Sequence, residues 1–76
     1  MEAMIAALAR GLVDNPEAVR VERAQEGGVT VISLHVAESD LGQVIGRGGR
    51  IARALRTLLR ASAQARGKRA VLEIVD

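Results

Sequence analysis

The residues best equipped for chemistry are Gly46, Arg47, Gly48, Gly49 and Arg50, which sit together near the middle of the 76-residue chain. Glycine takes positive φ freely and lets another backbone approach with no Cβ in the way. A helical pattern starts straight after the loop. Unpaired amides at a helix start, together with the positive end of the helix dipole, attract anions. Arg47 and Arg50 add mobile positive charge at the same spot. These residue types in this order suit a grip on phosphate groups. A plain glycine turn between two helices is the competing interpretation.

Two familiar phosphate motifs do not fit. A dinucleotide fingerprint needs G-x-G-x-x-G after a strand; Gly46 and Gly48 supply two positions, but the third is Ile51, and the loop follows a helical segment. A Walker loop needs Gly-Lys-Ser/Thr, whereas Gly67-Lys68 is followed by Arg69. Catalysis has little to work with. There is no cysteine, His35 is the one histidine, and no paired carboxylates or metal-ligand spacing stand near it. The chain is therefore read as no enzyme, with no cofactor and no metal. His35 is expected to be a partly exposed strand residue.

The elements around the loop follow from periodicity. Met4, Ile5, Leu8 and Leu12 recur at helical spacing, predicting an amphipathic helix over residues 2–13 with that stripe in the core. Asp14-Asn15-Pro16 ends it, because a residue before proline is pushed out of the helical region. Ala18 to Ala24 alternates as a strand, and Gly27-Gly28 suits a tight hairpin. Val29 to Val36 is the clearest strand, with Thr30, Ile32, Leu34 and Val36 on the core face. Glu38-Ser39-Asp40 is rich in helix N-cap residues, and a short helix over 40–45 is stopped by Gly46. A second helix over 49–65 places Ile51, Leu55, Leu58, Leu59 and Ser62 on one face and Arg50, Arg53, Arg56 and Arg60 on another. Arg56 and Arg60 are read as a solvated face with stems lying on apolar surface. Gly67 is the expected C-cap. Ala70 to Val75 is the last strand, with Leu72 and Ile74 facing in; reached by a helical crossover, it suits parallel pairing.

The net charge of +2 conceals an imbalance. Residues 1–46 hold three basic against seven acidic side chains, whereas residues 47–76 hold eight against two. The basic half begins at the glycine loop, which points to a polyanionic partner. Aromatic residues are absent, so base stacking on a sheet platform is excluded. No apolar run is long enough to span a bilayer, and Met1 to Val13 lacks the basic start of a signal peptide. A core this small leaves room for self-association as a source of stability.

Val44-Ile45-Gly46-Arg47-Gly48-Gly49-Arg50-Ile51 resembles the V-I-G-x-x-G signature of the KH domain family, in its type II, bacterial form. Many KH domains carry their next isoleucine one residue later, where this chain has Ala52. Leu12–Glu17, Asp40–Gly46, Ala54–Leu59 and Leu72–Asp76 also resemble small bacterial single-KH proteins, so the likeness covers essentially the whole chain as a single KH domain. It implies an α+β fold in the order α-β-β-α-α-β: a three-stranded sheet covered on one face by three helices. It implies single-stranded RNA as partner, with the loop clamping about four nucleotides. Gly46 and Gly49 would be the two fixed glycines, and Arg47 and Gly48 the variable pair facing phosphates. Ile45 and Ile51 would pack the loop onto the domain, and Gly42 would let the strand pass close. From the residues themselves, Arg50 is expected to join Arg47 in holding phosphates, and Arg53, one turn further along the helix, to extend the contact. Arg66 to Arg69 would be a very short variable loop, favouring weak binding with little sequence preference. The resemblance further implies a cytoplasmic RNA chaperone or post-transcriptional regulator in bacterial cell growth and shape. It also implies pairing as a homodimer or with a larger KH-containing RNA-binding protein. A protein–protein interaction module is the alternative.

Overall fold

The computed structural model describes residues 1–75. Asp76, the end of the Leu72–Asp76 segment, lies outside them. The order is α1 (Glu2–Leu12), β1 (Arg20–Glu26), β2 (Val29–His35), α2 (Leu41–Ile45), α3 (Arg50–Ala65) and β3 (Arg69–Val75), with short 3₁₀ turns at Pro16–Ala18, Glu38–Asp40 and Arg47–Gly49. The expected α+β order is present.

β2 is the central strand. It pairs antiparallel with β1, from Arg20↔His35 to Glu26↔Val29, and parallel with β3, from Val29↔Arg69 to His35↔Val75. The parallel pair arises because α2 and α3 carry the chain back across the sheet before β3 begins. β1 starts two residues later than its alternation predicts. Pro16 opens a 3₁₀ turn, and Val19, its C-cap, accepts no place in the ladder. Gly27 and Gly28 both have positive φ (56° and 82°), as a two-residue hairpin turn requires.

Thr30, Ile32, Leu34 and Val36 are buried beneath the helices, as their period of two dictates. Ile5 and Ala9 of α1, Val19 before β1, Val44 of α2, Leu55 and Leu59 of α3, and Leu72 of β3 complete this core. On the other sheet face, Glu22 Oε1 lies 2.6 Å from His35 Nε2, so His35 is the half-buried strand residue expected of it.

Two expectations fail for one physical reason: side-chain size suggests the core, whereas packing depends on how closely backbones approach. On α1, Leu8 is 37% exposed while Ala9 is fully buried. On α3, Leu58 is 46% exposed, and the face centred on Leu55 and Leu59 is completed by Ala52 and Ala63. At 3.6 residues per turn, Leu58 lies about 100° from Leu59. Small side chains let α3 settle onto β3.

Asp40 also departs from its expected role. Its side chain caps no helix. Buried to 1% exposure, the carboxylate accepts hydrogen bonds from Asp14 N–H (3.3 Å), Asn15 N–H (3.0 Å) and Asn15 Nδ2 (3.0 Å). A buried charge is tolerated when donors surround it. Asp40 thereby ties the turn after α1 to the start of α2. α3 ends as expected at Gly67, with Lys68 N–H on the Ala63 carbonyl (2.8 Å) and Gly67 N–H on Gln64 (3.0 Å), the paired bonds of a Schellman cap.

Candidate nucleic-acid interface

The corner between α2 and α3 is built on Gly46. Gly46 N–H closes α2 on the Gly42 carbonyl at 2.9 Å, and the chain then turns with φ 77° and ψ 168°. That region of backbone space is open essentially to glycine alone. A Cβ here would overlap Ile51 Cγ1 and come within 2.9 Å of the Ile51 Cβ and backbone N. Gly46 therefore rests directly on Ile51, which packs against the core. Ala52, at the position where many KH domains have isoleucine, is buried beside it at 3% exposure.

The next turn faces outward. Gly48 (φ 64°, ψ 18°) and Gly49 (φ 76°, ψ 16°) take left-handed conformations. Gly49 N–H donates to the Gly46 carbonyl at 3.1 Å, and Arg50 N–H to Arg47. Among the described residues, the amides of Arg47 and Gly48 have no such acceptor. Both residues are exposed, as is Arg50. The corner therefore offers two free N–H donors at the start of a sixteen-residue helix, where the dipole favours negative charge.

The guanidiniums are free as well. The ion pairs of the described residues are Arg23–Glu2 and His35–Glu22; none involves a residue beyond Gly46. Arg50 and Arg53 line an open cleft of about 450 Å³ with Ala54, Thr57 and Leu58. Thr57 Oγ1 is turned back onto the Arg53 carbonyl at 3.0 Å, which leaves the cleft's walls largely apolar between its two cations.

The structure thus brings Gly42, Ile45, Gly46, Arg47, Gly48, Gly49 and Arg50 into one exposed corner, with Arg53 a turn away. Gly42 is exposed and faces open space. Ile45 was expected to pack the corner onto the domain; it is 38% exposed, and Val44 is the buried anchor. Ile45 is instead apolar surface beside the free amides. Sequence reasoning missed Leu58 as part of this surface. Counting its angular offset from the Leu55–Leu59 line would have found it.

A mixed three-stranded sheet, helices over one face and a glycine corner open between two of them together define a KH domain. A family model described as the KhpA/KhpB KH domain matches residues 2–74. The chain belongs to that family. A Treponema pallidum protein named RNA-binding protein KhpA is 53% identical over 75 residues, covering 99% of this chain and 94% of its own. Its namesake from Caldanaerobacter subterraneus is 44% identical, covering 99% and 100%, and that of Mycobacterium bovis is 49% identical, covering 91% and 82%. Among solved structures, Aquifex aeolicus Era bound to GDP.AlF4- matches with a TM-score of 0.63 at 16% identity. The match covers 96% of this chain and 28% of that one, and it bears on the fold alone.

Proposed function

We propose that this chain is a non-catalytic, single-stranded RNA-binding protein that grips the sugar–phosphate backbone with the Gly46–Gly49 corner. One observation carries the reading: two unpartnered amides and three unpaired guanidiniums converge on an exposed helix start. The relatives named RNA-binding protein KhpA support it. Arg47 and Gly48 N–H, with the Arg47 and Arg50 side chains, hold phosphates. Ile45 and Gly42 line the approach, and Arg53 extends the contact. Contacts to phosphate set affinity and position but carry little sequence information, so binding weakens steeply with salt. A cytoplasmic role as an RNA chaperone is proposed with it.

Replacing Arg47 and Gly48 by aspartate tests the reading. Asp tolerates a left-handed φ better than most residues, so the fold survives while two negative charges meet the phosphates. Fluorescence polarisation with labelled single-stranded RNA should show binding lost; unchanged affinity rules out the corner as the grip. Pairing with a second copy or with a larger KH-containing RNA-binding protein is proposed alongside. Solution mass with and without RNA, repeated on the same variant, checks it. Retained pairing with lost RNA binding places the two activities on separate surfaces.

A further inference from the structure

β1 and β3 are the outer strands of the sheet, on either side of β2. β3 packs against α3, whereas β1 packs with β2 and α1 at the opposite edge. Every residue of β1 is exposed except the half-buried Val21. An outer strand presents unpaired N–H and C=O groups, which proteins blunt with short length, proline, lysine, a bulge, a cover or charge. β1 runs for seven residues without proline or lysine, and it pairs with β2 without a bulge from Arg20 to Glu26. Its protection is charge alone. Charge keeps off a strand of the same sign, but β1 carries both signs: Arg20 and Arg23 against Glu22 and Glu26.

A second β1 laid antiparallel beside the first, about a two-fold axis, makes a self-complementary contact in which each residue pair occurs twice. Opposed side chains must share a sheet face, so only every second register is open. With Glu22 on the axis, Glu22 meets Glu22. With Ala24 on the axis, Glu22 meets Glu26 twice. With Arg23 on the axis, all seven residues pair, Arg20 meets Glu26 twice, and Glu22 meets the neutral Ala24. An axis nearer either end pairs only a short part of the strand. The favoured register has one like-charge contact, Arg23 with Arg23. Arg23 lies opposite buried Ile32, on the helix face of the sheet. There it already holds Glu2 of α1 at 3.7 Å, so each Arg23 arrives with its own counter-ion.

We propose that the outer edge of β1 pairs with β1 of a second copy, antiparallel about Arg23, joining two three-stranded sheets into one. The proposal rests on the pairing with a second copy put forward in the preceding section, and it names the surface. A foreign extended peptide would satisfy the same backbone groups. A second β1 is the better occupant because it supplies acid opposite Arg20 and base opposite Glu26 in the one register that pairs the whole strand. The glycine corner and α3 take no part in this edge, so both corners of the pair stay open. An RNA strand long enough to reach both would be held twice.

Sedimentation velocity from micromolar to millimolar protein, without RNA, tests the surface on the wild-type chain, R20E, E26R, R20E/E26R and the corner variant R47D/G48D. Circular dichroism establishes that each is folded. The wild type should shift from monomer to dimer as concentration rises. R20E sets acid against acid at both symmetric contacts, and E26R sets base against base. Each should weaken pairing about fivefold or more, since directly opposed like charges destabilise a strand pair. R20E/E26R keeps the net charge, restores the match in the same register and should recover wild-type pairing. R47D/G48D should pair as the wild type does. The proposal is overturned if the single variants pair as well as the wild type, if the double variant does not recover, or if the corner variant loses pairing. In those cases pairing stands and its surface lies elsewhere. A wild-type chain that stays monomeric throughout overturns the pairing reading itself, and this surface with it.

Discussion

Two of this chain's glycine turns have opposite designs. Gly27-Gly28 joins β1 to β2, and a Cβ at either residue would meet nothing within 4 Å. Glu26 stands beside it, and the ladder on both sides holds it. Gly46–Gly49 joins two helices, and its first glycine is pressed onto Ile51. Arg47 and Arg50 flank it, and no ladder supports it. The first turn needs glycine for backbone shape alone. The second needs it so that the turn can be clamped from beneath while its amides stay bare above. Positive φ in glycine therefore marks a turn; clamping and adjacent charge mark a site.

Gly46→Ala should give the largest effect. A disallowed backbone region and a clash with Ile51 together cost about 3 kcal/mol or more. Urea denaturation reads this directly, and a loss under about 1 kcal/mol would show the corner is not clamped. Asp40→Ala comes next. It strips the acceptor from three donors at Asp14 and Asn15 and should cost about 2–3 kcal/mol. RNA affinity should fall too, because the short α2 loses its tether. Unchanged stability would mean that the hairpin and the corner are equally self-supporting. Gly27→Ala should cost about 1–2 kcal/mol, the penalty of a left-handed φ on a residue with a Cβ. RNA affinity should stay at the wild-type value, and any matching drop would erase the contrast between the turns. Leu58→Ser should change stability least, by about 0.5 kcal/mol or less, because its side chain is already half out of the core. By contrast, Leu59→Ala, at 1% exposure, should cost about 2–5 kcal/mol. Equal losses at the two positions would return Leu58 to the core face.

What was legible in the sequence was local. The octet Val44–Ile51 holds its own turn chemistry, and the step in charge at Arg47 needs no tertiary information. The same is true of β2, whose alternation survives because both neighbours pair with it in register. What was not legible depended on distance in sequence. Asp40 looks like a cap, and only the fold reveals partners 25 and 26 residues away. Leu8 and Leu58 look like core, and only the close seating of Ala9, Ala52 and Ala63 shows why they are not. Ile45, which the resemblance places against the domain, is exposed, and its neighbour Val44 is buried. A five-residue helix is too short for its periodicity to name a buried side.

The parallel β2–β3 pair also bears on how the molecule comes into being. A hairpin such as β1–β2 zips within about 1–10 μs once its turn exists. The β2–β3 ladder must instead await closure of a long crossover, the kind of non-local pairing that slows folding. α3 has little to lie on until β3 docks. The corner proposed to grip RNA lies inside that crossover, so it is expected to reach its working geometry only when the last strand docks. Acquiring a native sheet and becoming competent for RNA would then be one kinetic event.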